Sequence, residues 1–545
     1  MTRPRGAWVA LGGVSLAFGG CLRTPTTAPS ANSPLASIEQ AFQSARYWED
    51  QLRLTESLGR DTLPNGVTAS AIQDSLRTTR QRYRAQLHAP RPPLRTAADS
   101  AALALLHGAA AAANADAQTV NTAPTAARDA LAVTVRTVMT AYSRAANRIV
   151  INGDTLNRLS ILGLLSRTND PALRKQLFLA LDPVWRSINH DNGATSPYRT
   201  MLRLRTASWG DTASPIERKG LDFGLTATQV ETWLTDALGA WRAAMPDTML
   251  EPWDWYHFTG AASRRLSPRI ADITDIRRVN DAFFEALGAS PNRLRIAYDL
   301  EPRAGKYPVA FTDFGTRNRW LDERLVAGSP WVFASYLTGG FDNLSELLHE
   351  TGHGIHIAGI RTRPAFIDWP DNDTFTEALA DVAALELYEP AWQHRFLGDS
   401  ATLAESLRAK YAGIVFDMAW ALLEIRVHRT PGADPNQLWT DITSQYLRIR
   451  PHPEWSWWAM RGQLIEEPGY LINYALGAFL VADMRARMTE QWGSFSTPSD
   501  SRYEQLTEHL YRFGRERSSR RVLEDFLGRA PRPDALFRDL RRMSR

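Results

Sequence analysis

The chain has 545 residues, 44% hydrophobic and 22% charged, and is long enough to bury a large core without disulfide or metal staples. Lys and Arg total 63 against 59 Asp and Glu, so a net charge of +4 leaves no footprint for nucleic acid. Length alone permits three or four domains, and any metal here is expected to serve chemistry rather than folding.

The chain opens with Arg3 and Arg5 ahead of an apolar run, Ala7 to Phe18, too short to span a bilayer stably. Residues 1–21 therefore read as a secretory signal. Its end, Phe18-Gly19-Gly20-Cys21, resembles a bacterial lipobox, with Phe18 departing from the usual small aliphatic residue. Cys21 is the only cysteine, and cleavage before it would leave a lipid-bearing N-terminus. The expectation is an exported lipoprotein at the cell envelope, facing periplasm or surface and touching the membrane only through that lipid. A mature chain with no other cysteine suits an oxidising compartment.

Residues 22–35, rich in Thr, Pro, Ser and Ala, read as a flexible linker. Residues 36–215 read as an N-terminal helical region. Ala98 to Ala146, dense in Ala and Leu, predicts one or more long helices. Leu159 to Ile188 and Ala227 to Ala244 carry apolar residues at helical spacing. Residues 216–545 read as the catalytic helical region. Strand signals are few: Arg293 to Leu300 and Trp331 to Leu337 have the β-branched and aromatic character of short strands. The pattern predicts a mostly α protein with a small β-sheet beside the active site. Basic residues cluster from Arg515 to Arg521 and from Arg538 to Arg545, and read as a solvated helix face and a polar tail, or as a contact for anionic lipid or cell-wall polymer.

Residues 349–353 read His-Glu-Thr-Gly-His. On a helix, i and i+4 share one face, so His349 and His353 can reach one ion while Glu350 holds the attacking water. Glu377 follows in Phe375-Thr376-Glu377-Ala378-Leu379-Ala380-Asp381. A second helix carrying Glu377 would complete a His2Glu site for one Zn2+, with one position open for water. Asp381, one turn on, is placed to accept the free N–H of a ligand histidine. His356 continues the face, but a straight helix cannot offer three consecutive turns to one tetrahedral ion. A hydrogen-bonding place near the site, or plain packing, remains for it.

His349 to His356, HETGHGIH, resembles the His-Glu-x-x-His-x-x-His motif of the thimet oligopeptidase and peptidyl-dipeptidase family. FTEALAD resembles the third-ligand segment of the angiotensin-converting enzyme family, which shares that helical fold. Trp253 to Tyr256, Tyr298 to Lys306 and Pro468 to Tyr474 resemble further segments of these enzymes. The resemblance spans about Trp253 to Met484. It implies a two-lobed helical fold with a deep central channel that admits short peptides and excludes folded proteins. It also implies that Tyr470 or Tyr474 stabilises the transition state. Related enzymes carry a histidine ahead of this tyrosine loop; here Gln463 to Gly469 has none. One tyrosine then acts alone, or Arg461 or Gln463 replaces the histidine.

The expected activity is hydrolysis of short peptides, with Glu350 as base and Zn2+ lowering the pKa of water from ~15.7 toward ~7. The mode is oligopeptidase or peptidyl-dipeptidase. The rival readings are a metallocarboxypeptidase of similar fold and an inactive, surface-anchored peptide-binding protein. If Trp331 to Leu337 is an exposed edge strand, it can bind substrate by strand addition; an internal strand is the other reading.

Overall fold

Helix signals fill most of the chain, and most of it folds accordingly. The computed structural model describes residues 33–115, 126–209, 215–303, 306, 309–430 and 432–544. The expected signal peptide, Cys21 and most of the expected linker lie outside these residues. The last of that linker, Ser33 to Leu35, belongs to the folded body: Leu35 is fully buried against the first helix. That helix, Ala36–Leu58, ends on Gly59 in the left-handed region, where a side chain is costly. Ala69–His88 starts on the Thr68 hydroxyl and packs back along it.

The Ala/Leu-rich stretch forms Ala97–Ala115 and Ala126–Asn147. Ala102, Leu106 and Ala110, four residues apart, form the buried stripe of the first of these. Leu159 to Ile188 is divided into Arg158–Arg167, Pro171–Leu179 and Asp182–Asn189, two of them with proline in the first turn. Ala227–Ala244 is one helix with a Thr226/Gln229 capping box.

The strands are short: β1 (Ile149–Ile151), β2 (Asp154–Leu156), β3 (Ala297–Asp299), β4 (Phe311–Thr316), β5 (Arg319–Leu321), β6 (Arg324–Val326) and β7 (Ser329–Phe333). β1–β2 and β5–β6 are hairpins. β7 lies between β3, to which it is parallel, and β4, to which it is antiparallel. This decides between the two readings of that strand. The strand within Trp331 to Leu337 is central, so both its edges are already paired. The edge that borders the cleft is β4. Sequence missed it because Asp313 and Gly315 weaken its strand signal. The first helix covers its far end, where the Gln51 amide donates to Gly315 O at 3.0 Å.

The main core runs from Val138 to Met543 and crosses the boundary expected near residue 215. A smaller core joins the first three helices to Ala365 and Phe366. Between these bodies lies a cleft of 4380 Å³. Its walls include the first helix, β4, and the three helices that carry the chemistry. No helix among the described residues is long and apolar enough to cross a membrane.

Candidate active site

The histidine helix, Phe341–Gly359, is fixed in the core by Leu344, Leu347, Leu348, Thr351 and Ile355, each fully buried. That stripe leaves His349 and His353 lining the cleft. The carboxylate helix, Asp373–Ala384, starts on the Asn372 side chain, which accepts from Phe375 N. The two helices meet at Gly352, where any Cβ would overlap the Ala380 carbonyl oxygen. The motif residue between the histidines is thus small because another backbone occupies the space a side chain would need.

Glu377 Oε2 lies 3.3 Å from His349 Nε2 and 3.8 Å from His353 Nε2. One donor atom from each of the three residues lies within 4.8 Å of the others. His349 Nδ1 meets Asp381 Oδ1 at 2.8 Å, which turns Nε2 toward Glu377. Burial disfavours charge on His349, yet Asp381 and Glu377 outweigh it and hold its pKa well above the usual histidine range. Burial likewise opposes charge on Glu377, and the two imidazoles hold its carboxyl well below the usual range. The pocket therefore draws positive charge to the meeting point of two imidazoles and a carboxylate, a donor set that fits one metal ion with a position left open.

Of the two readings of His356, packing fits and hydrogen bonding does not. It is fully buried, and neither ring nitrogen has a hydrogen-bond partner among the described residues. Burial pushes its pKa down to about 3, so the ring is neutral. It packs between Trp369 and Tyr511, with ring centroids 5.6 and 5.1 Å away. Trp369 also stands edge-on to His353, 5.6 Å away. His356 packs against the ring that also stands against His353.

Glu350 is 7% exposed and faces the cleft. Its Oε2 accepts from the Thr312 hydroxyl of β4 at 2.7 Å. Sequence gave no sign of Thr312, because a lone threonine on a weak strand has no spacing that ties it to a helix 38 residues later.

On the facing wall, the tyrosine helix Tyr470–Trp492 starts after Gly469, whose φ of 78° suits glycine. Tyr470 and Tyr474 stand one turn apart with rings 5.3 Å apart, both lining the cleft. Burial, with Glu377 nearby, raises both phenol pKa values, so each remains a neutral donor. Arg461 lines the same wall, paired with Asp417 at 2.9 Å. Its guanidinium lies 5.0 Å from the Trp420 ring centroid and 5.9 Å from that of Tyr474. Gln463 also reaches the cleft.

Solved structures share this arrangement of elements. A Pz peptidase A bound to an inhibitor aligns over 96% of this chain and 98% of its own at 13% identity and a TM-score of 0.59. The chain has a helical peptidase fold. A protein provisionally named oligoendopeptidase F aligns over 94% and 95% at 15% identity and a TM-score of 0.58. An M32 carboxypeptidase from Deinococcus radiodurans R1 aligns over 94% and 98% at 15% identity and a TM-score of 0.54. No family model matches the sequence, and no curated protein does. At these identities the likeness concerns fold, and it extends to peptidases of more than one mode of cleavage.

Proposed function

We propose that the chain is a zinc-dependent peptidase that hydrolyses short, unfolded peptides. The observation that carries this reading is the convergence of His349, His353 and Glu377 on one point, with Glu350 beside it in the cleft. Zinc held by those three donors would supply Lewis acidity and lower the pKa of water toward ~7. Glu350 takes the proton of the attacking water and returns it to the leaving amine. Tyr474 or Tyr470 donates to the carbonyl oxygen as it gains charge, worth roughly 3 kcal/mol of barrier. The near end of β4 offers main-chain groups to an extended substrate.

The motifs around Glu350, Glu377 and Tyr474 favour an oligopeptidase or peptidyl-dipeptidase, as in the thimet and converting-enzyme groups. A metallocarboxypeptidase is the second reading. It is favoured by Arg461, a cation on the cleft wall beside Tyr474 and suited to a terminal carboxylate. Mass spectrometry of products from a mixed peptide library, with and without chelator, tests all three: internal fragments, released dipeptides or single residues. Stoichiometric zinc with no turnover would leave an inactive peptide-binding protein. We also propose that the protein is exported and anchored at the cell envelope through lipid on Cys21. The intact mass of the protein extracted from membranes tests this, and an unmodified N-terminus would refute it.

A further inference from the structure

The reading of Glu350 as base raises a question of restraint. During turnover its carboxyl alternates between a carboxylate, which only accepts hydrogen bonds, and an acid that must hand a proton on. A fixed donor would favour the first form and hinder the second. The Thr312 hydroxyl lies 2.7 Å from Glu350 Oε2 and 2.8 Å from the main-chain carbonyl of the same residue. It is the one hydrogen-bond donor to the Glu350 side chain found among the described residues. A hydroxyl has one proton and rotates, so it serves one of these acceptors at a time. Thr312 is paired with Val332 of the central strand, and its β-branched side chain is stiff.

We infer that Thr312 is a positioning residue for Glu350. Its hydroxyl donates to Oε2 while the carboxyl is charged, and turns to the main-chain carbonyl when the carboxyl carries the proton taken from water. Thr312 keeps its own proton throughout, so it is not a relay. The proton passes from water to Glu350 and from Glu350 to the amine, and the balance closes without it. This inference rests on the proposed peptidase activity.

The test uses the mature, zinc-loaded chain and a fluorogenic peptide. Thr312→Val keeps shape and removes the donor, and Thr312→Ala is carried beside it in case the methyl perturbs folding. Both are expected to lower kcat about 10- to 100-fold, the range typical of lost support around a metal site. KM and zinc content should stay as in the unmodified chain, and Thr312→Ser should recover most of the rate. Added to Glu350→Gln, Thr312→Val should cause no further loss. Unchanged kcat in both variants, a rise in KM alone, loss of zinc, or a Ser variant as slow as Val would each overturn the assignment. If the unmodified, fully loaded chain turns nothing over, the peptidase reading falls first and takes this one with it.

Discussion

Glu350 and Glu377 are carboxylates beside the same pair of imidazoles, yet their surroundings divide the work. Glu377 faces both Nε2 atoms, and Glu350 turns to a hydroxyl on the neighbouring strand. Glu350→Gln keeps the size and all three donors. It should retain one zinc per chain by elemental analysis while turnover falls by about three orders of magnitude or more. Glu377→Ala removes a ligand and should leave the purified chain with little metal under the same measurement. Full occupancy in that variant would move the third ligand elsewhere. The clustering of His349, His353 and Glu377 was legible in sequence because helix geometry ties His349 to His353 and Glu377 to Asp381 through a fixed spacing. Thr312 and Trp369 were not legible. Each reaches the site across a tertiary contact that leaves no periodic trace. His356 was left open between hydrogen bonding and packing, and its burial between two rings favours packing.

Between elements, one approach sets the geometry of the His349–His353–Glu377 cluster. Gly352 lets the histidine helix rest on the backbone of the carboxylate helix at Ala380. Gly352→Ala should force the helices apart, lower the melting temperature by the equivalent of about 1–3 kcal/mol, and weaken zinc affinity in a chelator competition. Gly354→Ala, whose Cβ would meet side-chain atoms of Ile296 at 3.2 and 3.3 Å and no backbone, is the milder control. A second coupling lies under the tyrosine helix. The Glu424 carboxyl, on the buried helix Leu403–Arg429, accepts the Gly469 N–H at 2.9 Å. Burial pushes its pKa up to about 7, against the pull of that N–H and of Arg205. A carboxyl raised on folding contributes stability below its unfolded value near 4.3 and loses it as pH climbs through 7. The stability of the chain should therefore decline from pH 5 to pH 8 by on the order of 3 kcal/mol from this group. Glu424→Gln should flatten that slope in denaturant unfolding at three pH values. Strand order shows where pattern reading ends. Aromatic and β-branched residues located β7, but nothing in its own sequence says that it is flanked on both sides.

At the scale of the molecule, the cleft has the site at its wall and helices on either side. On the proposed reading, a peptide in extended form reaches β4 and the tyrosines, and a folded domain is excluded. Short peptides should be cut, and a stably folded protein of the same sequence content should resist until denatured, as a gel time course would show. The helical architecture was legible from apolar spacing alone. The extent of the main core was not, because burial from Val138 to Met543 joins segments that local composition separates. The tryptophan between His353 and His356 has an optical consequence. An indole edge-on to the His353 ring senses that ring's charge and motion, so the part of the emission lost in Trp369→Phe, one of 18 tryptophans, should change when a cation arrives.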